Sequence, residues 1–151
     1  MEENWKFDHV GVVVRDMDKA VEYYQSLGTV TFQPEVTVEN SVFTDLKVYG
    51  KTPATKFKIK SRWPNKIGSL TVDLFEPVEG ESVWKEFLDS RGEGVIILAF
   101  IVDDLKNETA KLVEKGFPVI LSGKTPDGTS LAYFDTRKVG GVVIQLYELA
   151  G

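Results

Sequence analysis

Residues 7–14, Phe-Asp-His-Val-Gly-Val-Val-Val, form an almost unbroken apolar run rich in β-branched residues. That pattern predicts a strand covered on both faces. Asp16 follows as an N-cap, and Met17, Ala20, Val21, Tyr24 and Leu27 recur at helical spacing. Gly28 stands where the end of a helix favours positive φ. The same order returns later in the chain. Residues 95–102 are a second apolar run, Asp104 a second cap, Leu105, Thr109, Leu112 and Val113 a second periodic face, and Gly116 a second stop. Asp16 falls on Asp104, Met17 on Leu105, Tyr24 on Leu112 and Gly28 on Gly116, each at an offset of 88. A strand–cap–helix order repeated without a gap marks an internal duplication.

The ends of the two halves match as well. Leu70-Thr71-Val72-Asp73-Leu74-Phe75-Glu76 aligns with Val142-Val143-Ile144-Gln145-Leu146-Tyr147-Glu148 at an offset of 72. Between helix and last strand the first half has room for strands at about 30–38 and at either 43–49 or 56–63. The second half has room at about 118–122 and 129–135. Each half therefore reads β-α-β-β-β, the first over 6–77 and the second over 93–149, within one domain of 1–151. The connector, 78–92, holds a helix with Val83, Trp84, Phe87 and Leu88 on one face. The expected class is α+β: two paired modules forming a curved mixed sheet, each with a helix on one face and the other face turned to a central cleft. Glu76 and Glu148 lie three residues beyond Asp73 and Gln145, hence on the opposite strand face, and read as solvated strand ends.

Composition limits the chemistry. The chain is 42 % hydrophobic and 27 % charged, as ordinary globular proteins are, with a formal net charge of −5. An acidic balance argues against a nucleic-acid or anionic-membrane partner, which needs net positive surface. There is no cysteine, which removes disulfides, thiolate catalysis and cysteine-ligated metal centres. The start, Met-Glu-Glu-Asn-Trp-Lys, has neither a basic nor a long apolar leader region, and the expected location is the cytoplasm. His9 is the only histidine, so any metal site or acid–base relay that needs imidazole passes through it.

The paired β-α-β-β-β units, the early Asp8-His9-Val10-Gly11 and the strand endings Asp73-Leu74 and Gln145-Leu146 resemble the vicinal-oxygen-chelate superfamily over about residues 6–149. That group holds glyoxalase I, methylmalonyl-CoA epimerase, extradiol dioxygenases and the bleomycin- and fosfomycin-resistance proteins. The resemblance implies a divalent metal (Ni, Co, Zn or Mn), with His9, Asp73 and Gln145 at three of the four ligand positions. The fourth, a histidine in the family, is Ile97 here, which ligates nothing. Two readings of the three polar residues stand: a weakened metal site, or pocket-lining groups with hydrogen-bond partners.

The resemblance further implies a lyase or isomerase of the glyoxalase or epimerase type, moving a proton α to the carbonyl of a small thioester or thiohemiacetal. Its alternative is a non-catalytic small-molecule binder of the bleomycin-resistance kind, and a homodimer is implied in either case. Gln145 accepts no proton, which leaves Asp73 as the base, with Glu35 and Glu39 as candidates for a second. The iron site of the dioxygenase branch needs two histidines.

From Lys51 to Lys66 there are six basic residues and no acid. Lys56-Phe57-Lys58-Ile59-Lys60-Ser61-Arg62-Trp63 alternates strictly, a strand with one basic and one mostly apolar face. If the apolar face packs under the helix, Lys58, Lys60 and Arg62 line the cleft and favour an anionic ligand or cofactor. The alternative is an edge strand kept soluble by lysine.

Overall fold

In the computed structural model, which describes residues 5–151, the elements run β1 (Lys6–Val13), α1 (Met17–Gln25), β2 (Val30–Thr31), β3 (Val36–Glu39), β4 (Thr44–Val48), β5 (Lys58–Ile67) and β6 (Leu70–Glu79). They continue with α2 (Val83–Arg91), β7 (Gly94–Ile101), α3 (Leu105–Glu114), β8 (Val119–Lys124), β9 (Ser130–Phe134) and β10 (Val143–Glu148). The class is α+β. The chain divides into two compact units. The N-terminal unit holds residues 9–39 and 55–96; the C-terminal unit holds the segment ending at Asp8, residues 40–54 and residues 97–151. Among the described residues no helix is long and apolar enough to cross a membrane.

In the N-terminal unit the strand order is β2-β5-β6-β1, with β3 also on β5. β1 and β6 are parallel, and the other pairs antiparallel. Asp16 caps α1 as its spacing predicts, its Oδ1 accepting the Lys19 N–H at 3.0 Å. Helix α1 lies on one face of the sheet, where Val12, Val14, Met17, Val72 and Leu74 form a buried cluster with Ala20, Val21, Tyr24 and Phe32 against it. Burying each large side chain of this kind stabilises by about 1.5–3 kcal/mol. The strand expected over 30–38 is broken at 32–35. Pro34 has no N–H to give a ladder, and the Gln33 N–H goes instead to Asn65 Oδ1 at 2.9 Å.

The connector helix α2 occupies the opposite face of the same sheet. Its four apolar residues, Val83, Trp84, Phe87 and Leu88, are buried, and the Trp84 ring lies 6.0 Å from Phe75 and 5.8 Å from Phe57. Gly80 makes this turn possible: a Cβ there would stand 2.1 Å from the Lys56 carbonyl oxygen. At this end of the sheet α2 therefore covers the face turned away from α1.

The C-terminal unit has the order β7-β10-β9-β8-β4. β7 and β10 are parallel, as β1 and β6 are. Both of the alternatives at 43–49 and 56–63 are strands, but only the latter, β5, joins the N-terminal sheet. β4 pairs with β8 instead, Lys47 opposite Ser122. Helix α3, capped by Asp104 through the Asn107 N–H at 3.1 Å, covers a cluster of Val102, Leu112, Ala132, Phe134 and Leu146.

The two glutamates expected as solvated strand ends have another role. The Met17 N–H at the start of α1 donates to Glu76 Oε1 at 2.9 Å, and the Leu105 N–H at the start of α3 donates to Glu148 Oε1 at 2.9 Å. Both carboxylates lie on the helix-bearing faces, as parity required, but they anchor helix N-termini, where N–H groups and the helix dipole attract negative charge. Glu76 is buried, at 8 % exposure. Glu76→Ala is expected to cost about 1.5–3 kcal/mol, the range for a hydrogen bond to a charged group. Glu148→Ala, at a half-buried site, should cost less. Urea unfolding of both variants measures this, and the reverse order would contradict the assignment.

Candidate functional site

Strand parity sorts the polar residues of the N-terminal unit. Val10, Val12, Val14, Val72 and Leu74 face α1, so His9, Gly11, Val13, Asp73 and Phe75 face the other way. In the parallel register Gly11 stands beside Asp73 and Val13 beside Phe75. On that face His9 and Asp73 meet: Nε2 of the imidazole is 3.1 Å from Asp73 Oδ2. Both are buried, at 7 % and 8 % exposure. A close carboxylate is what a buried imidazole needs, since it orients the ring and compensates its lost hydration.

Asp73 also faces an irregularity. Leu74 pairs with Arg62 and Val72 with Asn65, so two residues of β5, Trp63 and Pro64, stand opposite Asp73 alone. Such bulges re-aim side chains and recur beside functional sites. Asn65 holds this one in place. Its Nδ2 donates to the carbonyls of Arg62 (2.7 Å) and Val72 (2.9 Å), while its Oδ1 accepts the Gln33 N–H. Pro64 within a strand pattern was the one sequence signal for a bulge here. Nothing local marked Asn65. Ser61, opposite Phe75 and so on the face of His9 and Asp73, is fully buried, and its hydroxyl has no hydrogen-bond partner among the described residues.

The basic strand sits the other way round from the conditional expectation. Phe57, Ile59 and Ser61 are buried at about 1 % exposure, and Ser61 lies opposite Phe75, on the face that α2 covers. Lys60 and Arg62 lie opposite Glu76 and Leu74, on the α1 face. The three cations are also engaged there. Lys60 Nζ is 3.8 Å from Glu76. Arg62 Nη1 donates to the Gln33 carbonyl at 2.8 Å. Lys58 lies 3.5 Å from Glu79 and 3.6 Å from Glu39, whose carboxylates hold its ammonium above the usual lysine range. Glu39 is thus spoken for. It stands opposite Lys58 in the β3–β5 ladder, on the strand face away from Ile59, and the structure does not bring it to Asp73.

In the C-terminal unit, Phe100, Val102, Ile144 and Leu146 belong to the α3 cluster. Ile97, Ala99, Val143 and Gln145 therefore share the face away from α3. Ile97 is fully buried beside Val143. Gln145, at 8 % exposure, lies between Ala99 and Tyr133. Tyr133, also buried, is a polar neighbour that the sequence did not single out. Among the described residues no three His, Cys, Asp or Glu side chains are grouped to hold a metal. With a lone imidazole, its carboxylate already in contact with it, and an aliphatic side chain at Ile97, the residues do not make up the four-donor set implied by the resemblance.

The sequence model of the Glyoxalase/Bleomycin resistance protein/Dioxygenase superfamily matches residues 8–134. The uncharacterized protein YqjC of Bacillus subtilis (strain 168) is 24 % identical over 148 residues, covering 97 % of this chain and 94 % of its own. Methylmalonyl-CoA epimerase from Mycobacterium tuberculosis is similar in fold, with a TM-score of 0.66 at 24 % identity over 97 % of this chain and 89 % of that one. A structure of methylmalonyl-CoA epimerase in complex with methylmalonyl-CoA and NH4+ superposes with a TM-score of 0.66 at 20 % identity, over 99 % and 97 % of the two chains.

The His9–Asp73 contact predicts strong coupling. His9→Ala and Asp73→Ala, alone and together, should give a double-mutant interaction energy of about 1–3 kcal/mol by denaturant unfolding. Additive losses would mean that the two groups are held independently.

Proposed function

Because the chain belongs to the Glyoxalase/Bleomycin resistance protein/Dioxygenase superfamily, we propose that it moves a proton α to the carbonyl of a small acyl thioester, with Asp73 as the base. The observation that carries this reading is the buried His9–Asp73 pair, 3.1 Å apart on the face away from α1. The α C–H bond breaks, its proton passes to the Asp73 carboxylate, and its electron pair moves onto the carbonyl oxygen as an enolate. Delivery of a proton to the opposite face of the same carbon completes an epimerisation, return to the original face restores the substrate, and delivery elsewhere gives an isomer. His9, 3.1 Å away, keeps the carboxylate oriented toward the reacting carbon. The thioester class is supported by the epimerase whose structure holds methylmalonyl-CoA. No step is routed through a metal, because the donor set does not fit one. The assembly we propose is a homodimer, to be read by light scattering.

A second reading is binding without chemistry. It is favoured by Ile97, a fully buried aliphatic residue where the family carries a histidine.

Loss of the α-proton signal of methylmalonyl-CoA or propionyl-CoA in D2O, followed by NMR, tests the proposal. The wild-type protein should catalyse exchange, and Asp73→Asn should slow it by about 10²–10⁴-fold. Equal exchange in wild type and Asp73→Asn would remove Asp73 from the reaction. Thioester binding with no exchange would establish the second reading. Metal analysis of protein purified without chelator should find far less than one Ni, Co, Zn or Mn per chain.

A further inference from the structure

On the α3 face of the C-terminal unit, one cross-strand row runs Leu146, Ala132, Ser122, Lys47 over β10, β9, β8 and β4. The side chains shrink after Leu146 and then end in a cation at the sheet edge. The N-terminal unit has the matching row. There Leu74, the repeat partner of Leu146, stands opposite Arg62, whose guanidinium reaches the Gln33 carbonyl of the segment 26–35. That segment joins α1 to β3 and contributes Phe32 to the core. In the C-terminal unit only residues 115–118 join α3 to β8. Both fillers are therefore missing, and a groove of about 680 Å³ remains between α3 and the edge strand.

Its walls carry Lys106 and Thr109 from α3 and Lys47 and Tyr49 from the β4 side, over a floor that includes Ser122 and Ala132. The volume is in the range of small-molecule sites, about 300–1,000 Å³. The charge is one-sided. Among the described residues neither Lys47 nor Lys106 has a carboxylate partner, whereas Lys58, Lys60, Lys85 and Lys111 each do. Lys47 Nζ only donates to the Thr52 hydroxyl at 2.9 Å. Glu148 also lines the groove, but its Oε1 accepts the Leu105 N–H. A groove with Ala132 in its floor and two lysines without carboxylate partners at its rim complements an anion with an apolar body.

We propose that this groove binds a small amphipathic carboxylate, its apolar part over Ala132 and its carboxylate at Lys47 and Lys106. The site is separate from the His9–Asp73 pair and does not depend on the reaction proposed for it. Decanoate is the probe, with decanol as the uncharged control of equal length, and binding is followed through backbone amide NMR shifts. Decanoate should shift amides of 47–50, 105–109 and 119–123 saturably, and decanol should bind at least tenfold more weakly. The double variant Lys47→Glu/Lys106→Glu should weaken decanoate at least tenfold, and Ser122→Phe, which fills the floor, should abolish the shifts. If Ser122→Phe unfolds, the charge-reversal variant and the decanol comparison still decide. Equal binding of decanol, shifts confined to other residues, or no saturable shift would overturn the proposal. So would concentration-dependent shifts of the same amides without decanoate, which would assign the groove to a second copy of the chain.

Discussion

Each helix that follows a first strand is tied at its N-terminus to the last strand of its unit by one carboxylate, Glu76 for α1 and Glu148 for α3. Much else depends on this contact. It fixes which face of the last strand lies under the helix, and alternation then assigns every other residue of that strand. A residue three positions earlier must point the opposite way. Asp73 and Gln145 are those residues, so the tether that seats the helix also aims the polar group at the other face. A one-residue slip of β6 would bury Asp73 under α1 and leave the Met17 N–H without its acceptor.

The duplication preserves this frame more faithfully than it preserves chemistry. Backbone bonds repeat: the Val14 N–H donates to the Phe75 carbonyl at 2.8 Å and the Val102 N–H to the Tyr147 carbonyl at 2.9 Å, at matching positions of the two units. On the faces away from α1 and α3 the two units part. One presents a hydrogen-bonding imidazole and carboxylate; the other presents Ile97, Val143 and the amide of Gln145. A repeated scaffold constrains where a side chain points, while the side chain itself is free to change.

What was legible in the sequence follows from range. Caps and the positive φ of Gly28 and Gly116 depend on neighbours within a few residues and stand where the pattern placed them, whereas Leu27 and Val113, which the helical spacing put on the packed faces, are exposed. The pairing of β4 with β8 joins residues more than seventy positions apart, and no local period encodes it. The orientation of β5 was illegible for a different reason. Alternation separates Phe57 and Ile59 from Lys58 and Lys60 but does not say which set faces α1. Helix α2 takes the apolar set: the Trp84 ring lies 5.8 Å from Phe57 and 6.0 Å from Phe75, on the face away from α1. The pairing of His9 with Asp73 was legible only through the resemblance, since nothing local links a first strand to a residue 64 positions on.

The basic stretch shows how sequence charge and structural charge diverge. Six cations without an acid between Lys51 and Lys66 promise an anion site when counted along the chain. In the fold the sheet supplies the acids from neighbouring strands: Glu39 from β3, and Glu76 and Glu79 from β6. Antiparallel pairing places them opposite Lys58 and Lys60, where cross-strand charge pairs are favourable. Lys58 and Lys60 are thereby matched, while Arg62 and Lys66 donate instead to the Gln33 carbonyl and the Thr71 hydroxyl. Lys47 and Lys106, separated by almost sixty residues and unremarkable in sequence, form no ion pair among the described residues, because the one acid lining their groove, Glu148, is held by the Leu105 N–H. Electrostatic potential is set by which strands adjoin, and for that the topology outweighs the composition of any one segment.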